Sequence, residues 1–95
     1  MKNFKNKYFK LVKNNALSKT GESAIMLDLK SGQYFDLNEV GLLIVENLNS
    51  FKTFKDLIEL IIENFDVDRK ECELDLNLFL NDLDERCLIE VQKID

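Results

Sequence analysis

The stretch Ile25-Met26-Leu27-Asp28-Leu29-Lys30-Ser31-Gly32-Gln33-Tyr34-Phe35-Asp36-Leu37-Asn38 decides the fold. It reads as a strand, a tight turn, a second strand and a helix cap. Ile25, Leu27 and Leu29 alternate on the first strand, Phe35 and Leu37 on the second. The two sets share a face if residue 29 pairs with residue 33, which leaves Lys30-Ser31-Gly32 as a three-residue loop with Gly32 at positive φ. A two-residue Ser-Gly loop would instead set Phe35 opposite Asp28. The expected hairpin therefore buries Ile25, Leu27, Leu29, Phe35 and Leu37 against the helices that follow.

Upstream, Lys7 to Lys13 alternates weakly and carries β-favouring Tyr8, Phe9, Leu11 and Val12, so it reads as a first strand. A polar loop through Asn14, Asn15 and Thr20-Gly21-Glu22 follows. Downstream, Asn38 caps a first helix running to about Asn49, with Leu37 and Leu42 as a hydrophobic staple. Gly41 inside it costs about 1 kcal/mol relative to Ala, which points to a closely packed backbone. Thr53 caps a second helix, in which Phe54, Leu57, Ile58, Ile61, Ile62 and Phe65 form one core stripe. A third helix, about Asp68 to Arg86, presents Cys72, Leu76, Phe79, Leu80 and Leu83 to the core. Leu88 to Val91 reads as a short terminal strand.

This order is α+β and winged-helix-like: a three-stranded antiparallel sheet followed by three helices, in a single domain over residues 1–95. Leu74 and Leu78 project almost opposite Leu76 and Leu83 and make a second apolar spot on the third helix. Either that helix is buried between two layers, or the spot lines a groove for a partner; the pattern alone does not choose.

Ninety-five residues, 45% of them hydrophobic, suffice for one core without staples. Cys72 and Cys87 would lie about 22 Å apart along one helix, too far for a disulfide, and read as small buried apolar side chains. The segment 1–13 holds Lys2, Lys5, Lys7, Lys10 and Lys13 and no acid, leaving eight basic against eighteen acidic residues in the rest. An acidic body repels polyanions, and the lysines read as solvating an edge strand. With no His, two separated Cys and three Gly, nucleophilic triads, thiolate metal cages and dinucleotide loops have no residues to build them. The expectation is no enzyme activity, no cofactor, no nucleic acid, no membrane partner, and a cytoplasmic location.

Leu27-Asp-Leu-Lys-Ser-Gly-Gln-Tyr34, then Leu37-Asn38, Gly41, Ile44 and Leu48, then Phe54, Leu57, Ile61 and Phe65-Asp-Val67, then Phe79-Leu80, Leu83 and Cys87-Leu-Ile89 resembles the PqqD-like family. Its members are small leader-recognition domains of pathways that modify ribosomally made peptides. The resemblance runs from about residue 8 to residue 91; Cys87 stands where the family usually has Gly after the third helix. It implies binding without chemistry, the leader segment of a precursor peptide adding as a strand and being presented to a separate modifying enzyme or leader protease. Carried onto this chain, it implies a leader site on Gln33, Tyr34, Phe35, Asp36 and Leu37, through the main chain, with Leu74, Leu78, Asn81 and Asp82 as the helix wall. Tyr34 is expected beside Met26 and Asp28. Whether the product is a lasso, thioether or cofactor precursor stays open. The alternatives are a small winged-helix nucleic-acid-binding or regulatory module, which the net negative third helix disfavours, and a structural subunit whose edge pairs with itself.

Overall fold

The computed structural model describes residues 2–12 and 14–94, so Lys13, the last residue of the expected first strand and of the basic segment, lies outside the described residues. The chain runs β1 (Lys7–Leu11), β2 (Asn15–Thr20), β3 (Ser23–Asp28), β4 (Tyr34–Leu37), α1 (Glu39–Glu46), β5 (Lys52–Thr53), α2 (Phe54–Asn64), α3 (Arg69–Glu85) and β6 (Ile89–Lys93). It is α+β, but the strands form two three-stranded antiparallel sheets, ordered β5-β1-β6 and β2-β3-β4, rather than the one expected. The first strand does not join the hairpin. It sits between the short β5 and the terminal β6, Phe9 pairing with Lys52 and Val91.

The expected polar loop is instead β2. Asn15 to Thr20 alternates around half-buried Leu17, and Gly21, at φ +65°, opens a two-residue turn into β3.

Hairpin β3–β4 forms where expected, but one residue out of register. Met26 faces Phe35, Ala24 faces Leu37 and Leu27 faces Tyr34, so the loop has four residues, Leu29 to Gly32. Asp28 is the cause. Its carboxylate accepts the Lys30 N–H at 3.1 Å and the Ser31 hydroxyl at 2.7 Å, while its carbonyl accepts the Gly32 N–H at 2.7 Å. This local cage draws Leu29 into the turn, with Gly32 at φ +75°. A one-residue shift turns every side chain over. Ala24 and Met26 are therefore buried with Leu37, whereas Ile25 and Leu29 are exposed on the outer face, which also carries Leu27 and Tyr34.

Helix caps follow the local chemistry. Asn38 Oδ1 accepts the Gly41 N–H, Thr53 and Asp56 form a capping box, and Asp68 accepts the Glu71 N–H. What packs on Gly41 is side chain rather than backbone: a Cβ there would lie 3.3 Å from Leu37 Cδ2 and 3.4 Å from Phe79 Cε1. Leu42, Ile44, Val45, Leu57, Ile58, Ile61, Leu76, Leu80 and Leu83 meet Phe4, Phe9 and Met26 in one core. Burying each such side chain contributes about 1.5–3 kcal/mol. Cys72 is buried as expected, but Cys87 is exposed beyond the end of α3.

Candidate functional site

Within its sheet, β4 pairs only with β3, so its other edge is open among the described residues. The Asp28 N–H donates to the Gln33 carbonyl at 2.9 Å, which makes 28/33 a hydrogen-bonded pair. Antiparallel alternation then directs the main-chain groups of Phe35 and Leu37 toward β3, and those of Tyr34 and Asp36 toward the open edge. Two donors and two acceptors thus stand on a strand of four residues.

Helix α3 forms the wall beside that edge. The Phe35 ring meets Phe79 edge-on at 6.0 Å between centroids, and the Arg86 guanidinium lies 4.8 Å from the centre of the Phe35 ring. Arg86 also binds the Asp82 carboxylate at 3.1 Å. From Phe35 through Leu37 to Gly41 the chain therefore steps along α3 from Arg86 toward Phe79 and Cys72. There it opens into a cavity of about 530 Å³ between α1 and α3, floored by Ile44, Ile61, Cys72 and Leu76. Burial, with the nearby Asp75 charge, pushes the Cys72 thiol above its ordinary pKa, which keeps it a neutral apolar lining group.

The other flank of α3 is occupied by the chain itself. Asn77 accepts the Phe4 N–H at 3.1 Å, Asn81 accepts the Lys2 N–H at 3.0 Å, and both side-chain amides donate to the Lys2 carbonyl at 3.0 Å. Lys2 pairs with Asp84 and Lys5 with Glu73, while Phe4 is fully buried against Phe9. Two of the basic residues near the start of the chain thus neutralise α3 instead of solvating a strand edge.

The expected site residues divide accordingly. Gln33 to Leu37 and Asp82 come together at the β4 edge. Leu78 is 51% exposed and, at about 100° per residue, lies roughly a quarter-turn from the Phe79–Arg86 face, at its rim. Leu74 is 66% exposed and points well away from β4, and Asn81 faces the opposite flank, held on Lys2. The reading of the leucine pair as buried between two layers does not hold at these exposures. Tyr34 is 69% exposed and stands across from Leu27, not beside Met26 and Asp28, because of the register shift. Sequence reasoning missed Phe79 and Arg86 as wall residues. The signal was present in the spacing Asp75, Phe79, Asp82, Arg86, a second helical stripe beside the core stripe.

Among the described residues there is no group of three or more His, Cys, Asp or Glu side chains placed to hold a metal ion. No helix among them is long and apolar enough to cross a membrane. The arrangement offers hydrogen bonds, apolar contact and charge to an extended chain.

The chain is similar to TbiB1, solved in complex with the TbiA(beta) leader peptide, at 30% identity over 85% of this chain and 94% of that one, with a TM-score of 0.75. It is also similar to a lasso peptide synthetase B1 complexed with its leader peptide, at 26% identity over 86% and 96% of the two chains, with a TM-score of 0.71. No curated protein matches it. The family model for coenzyme PQQ synthesis protein D matches residues 23–89, from the start of β3 to the start of β6, and the chain belongs to that PqqD family.

Proposed function

We propose that this protein binds the leader segment of a ribosomally synthesised precursor peptide by strand addition to β4. The loaded precursor is then delivered to a separate modifying enzyme or leader protease in the cytoplasm, residues 1–95 acting as one recognition domain. The observation that carries this reading is the open edge of β4 set against the Phe79–Arg86 face of α3. The similarity to two proteins solved with leader peptides bound supports it.

In this reading the main-chain groups of Tyr34 and Asp36 supply the hydrogen bonds, and alternate leader side chains settle against Phe79, Asp82 and Arg86, with Leu78 at the rim. The protein binds and presents, and the chemistry belongs to its partner. A hairpin beside three helices is winged-helix-like, yet α3 holds six acidic residues against two basic ones, which opposes entry into a nucleic-acid groove.

The test is fluorescence anisotropy with the leader of any short precursor peptide found encoded beside this gene. Saturable binding at micromolar strength or better, about −8 kcal/mol, is expected. The core peptide without its leader should not bind. A leader that shows no saturation overturns the proposal.

A further inference from the structure

We infer that the cavity between α1 and α3 selects a leader carrying a basic side chain beside an apolar one, just N-terminal to the residues that pair with β4. The inference rests on the β4 reading and adds a specificity to it. A strand continuing the antiparallel pattern along β4 runs in the direction opposite to Tyr34–Leu37, so its N-terminal part meets the cavity at Asn38, Gly41 and Phe79. At about 530 Å³ the cavity is of ordinary ligand-binding size. Its floor is apolar and its mouth carries the 39%-exposed Val67.

The charges around it are one-sided. Asp66, Asp68, Glu71 and Asp75 line it, and no Lys or Arg does. Asp68 is engaged as the N-cap of α3. Elsewhere on the same helix Glu73, Asp82 and Asp84 each have a cation of this chain within 3.4 Å. Glu71 and Asp75, at the cavity, have none among the described residues, and neither does Asp66. Glu85, likewise without a cation among the described residues, lies at the far end of the helix. A Lys or Arg can lay its methylene stem on the apolar floor and hold its charge at this rim, a fit that an acidic or neutral polar residue lacks.

The probe is a displayed library of random peptides selected on the full chain, with enriched sequences resynthesised and measured against the parent, Glu71→Gln, Asp75→Asn and the double variant. Both positions are exposed, and circular dichroism checks that the fold is kept. Enrichment of Lys or Arg ahead of an alternating apolar segment is expected. Affinity should fall about two- to fivefold for each neutralised carboxylate and decline with added salt. A peptide whose basic residue is replaced by Gln should no longer distinguish parent from double variant. Enriched peptides without a basic residue, or neutralisations without effect while a proline in the paired segment abolishes binding, reject the cavity's specificity and leave strand addition standing. Absence of enrichment, or hits indifferent to such prolines, rejects strand addition and the inference with it.

Discussion

Replacing Cys87 with Gly should stabilise this protein. Cys87 follows the C-cap Arg86 at φ +59°, in the left-handed region. Its N–H donates to the Asp84 carbonyl at 3.0 Å, and the Leu88 N–H donates to the Leu83 carbonyl at 2.9 Å, so the helix closes with the six-to-one bond of a Schellman turn. An L-residue pays about 1–2 kcal/mol for that conformation, and Gly does not. Against this stands the greater freedom of Gly in the unfolded chain, about 0.5–1 kcal/mol. Because Cys87 is exposed, no packing is lost. The net gain is about 0.5–1 kcal/mol, or between about 2 and 8 °C in Tm for a domain of this size. Urea unfolding reads it directly, the midpoint rising with unchanged slope. Cys87→Ala, which keeps the Cβ, is the control and should stay within about 0.5 kcal/mol of the parent. A Gly variant no more stable than the parent, or an Ala variant that gains as much, refutes the backbone argument.

Hydrogen exchange should find the Tyr34 and Asp36 amides fast in the free protein and protected on adding leader, with Phe35 and Leu37 slow throughout; the reverse pattern would mean that the outward groups are assigned to the wrong parity. Leu76→Ala should cost about 2–5 kcal/mol in denaturant unfolding, whereas Leu74→Lys should stay within about 0.5 kcal/mol, since the first side chain is buried and the second is in water. The Ser31 hydroxyl, followed by the Lys30 N–H, holds the Asp28 carboxyl below its ordinary 3.8. A depressed folded-state pKa contributes stability above the ordinary value and loses it as pH falls through the folded one. Ser31→Ala should thus be less stable than the parent at neutral pH, and the gap should close on acidification below 3.8; a gap independent of pH refutes the assignment.

The features legible in the sequence were those decided by near neighbours. Asn38, Thr53 and Asp68 cap helices through bonds three residues long, and the apolar stripe of α2 needs no partner to be recognised. The hairpin register was not legible, because both parities of β3 are apolar. Ile25, Leu27 and Leu29 read as the inner set, and the Asp28 cage, although its bonds span only two to four residues, competes with the three-residue loop that the side-chain alternation favours. β2 looked like a loop because a half-exposed strand of Asn, Ser, Lys and Thr carries little hydrophobic signal. The separation into two sheets depends on β6 returning to β1 from the far end of the chain, which no local pattern announces. At the site, the β4 edge was legible from its position after the turn. Of the helix wall that the resemblance implies, Leu74, Leu78, Asn81 and Asp82, only Asp82 and, at its rim, Leu78 lie by the face beside β4, and Phe79 reads as core because it departs from the core stripe by only part of a turn.

The Lys2–Lys5 segment gives α3 a second role for its flank. Asn77 and Asn81, one turn apart, grip the Lys2 carbonyl as a splint is tied to a limb, and Phe4 is driven into the core behind them. The helix that borders the open strand edge is therefore braced from behind by an extended piece of its own chain. A purification tag fused ahead of Lys2 would pull on that brace, whereas one following β6 would leave it alone, so the placement of a tag becomes an experimental variable in any measurement of what the front of the helix binds.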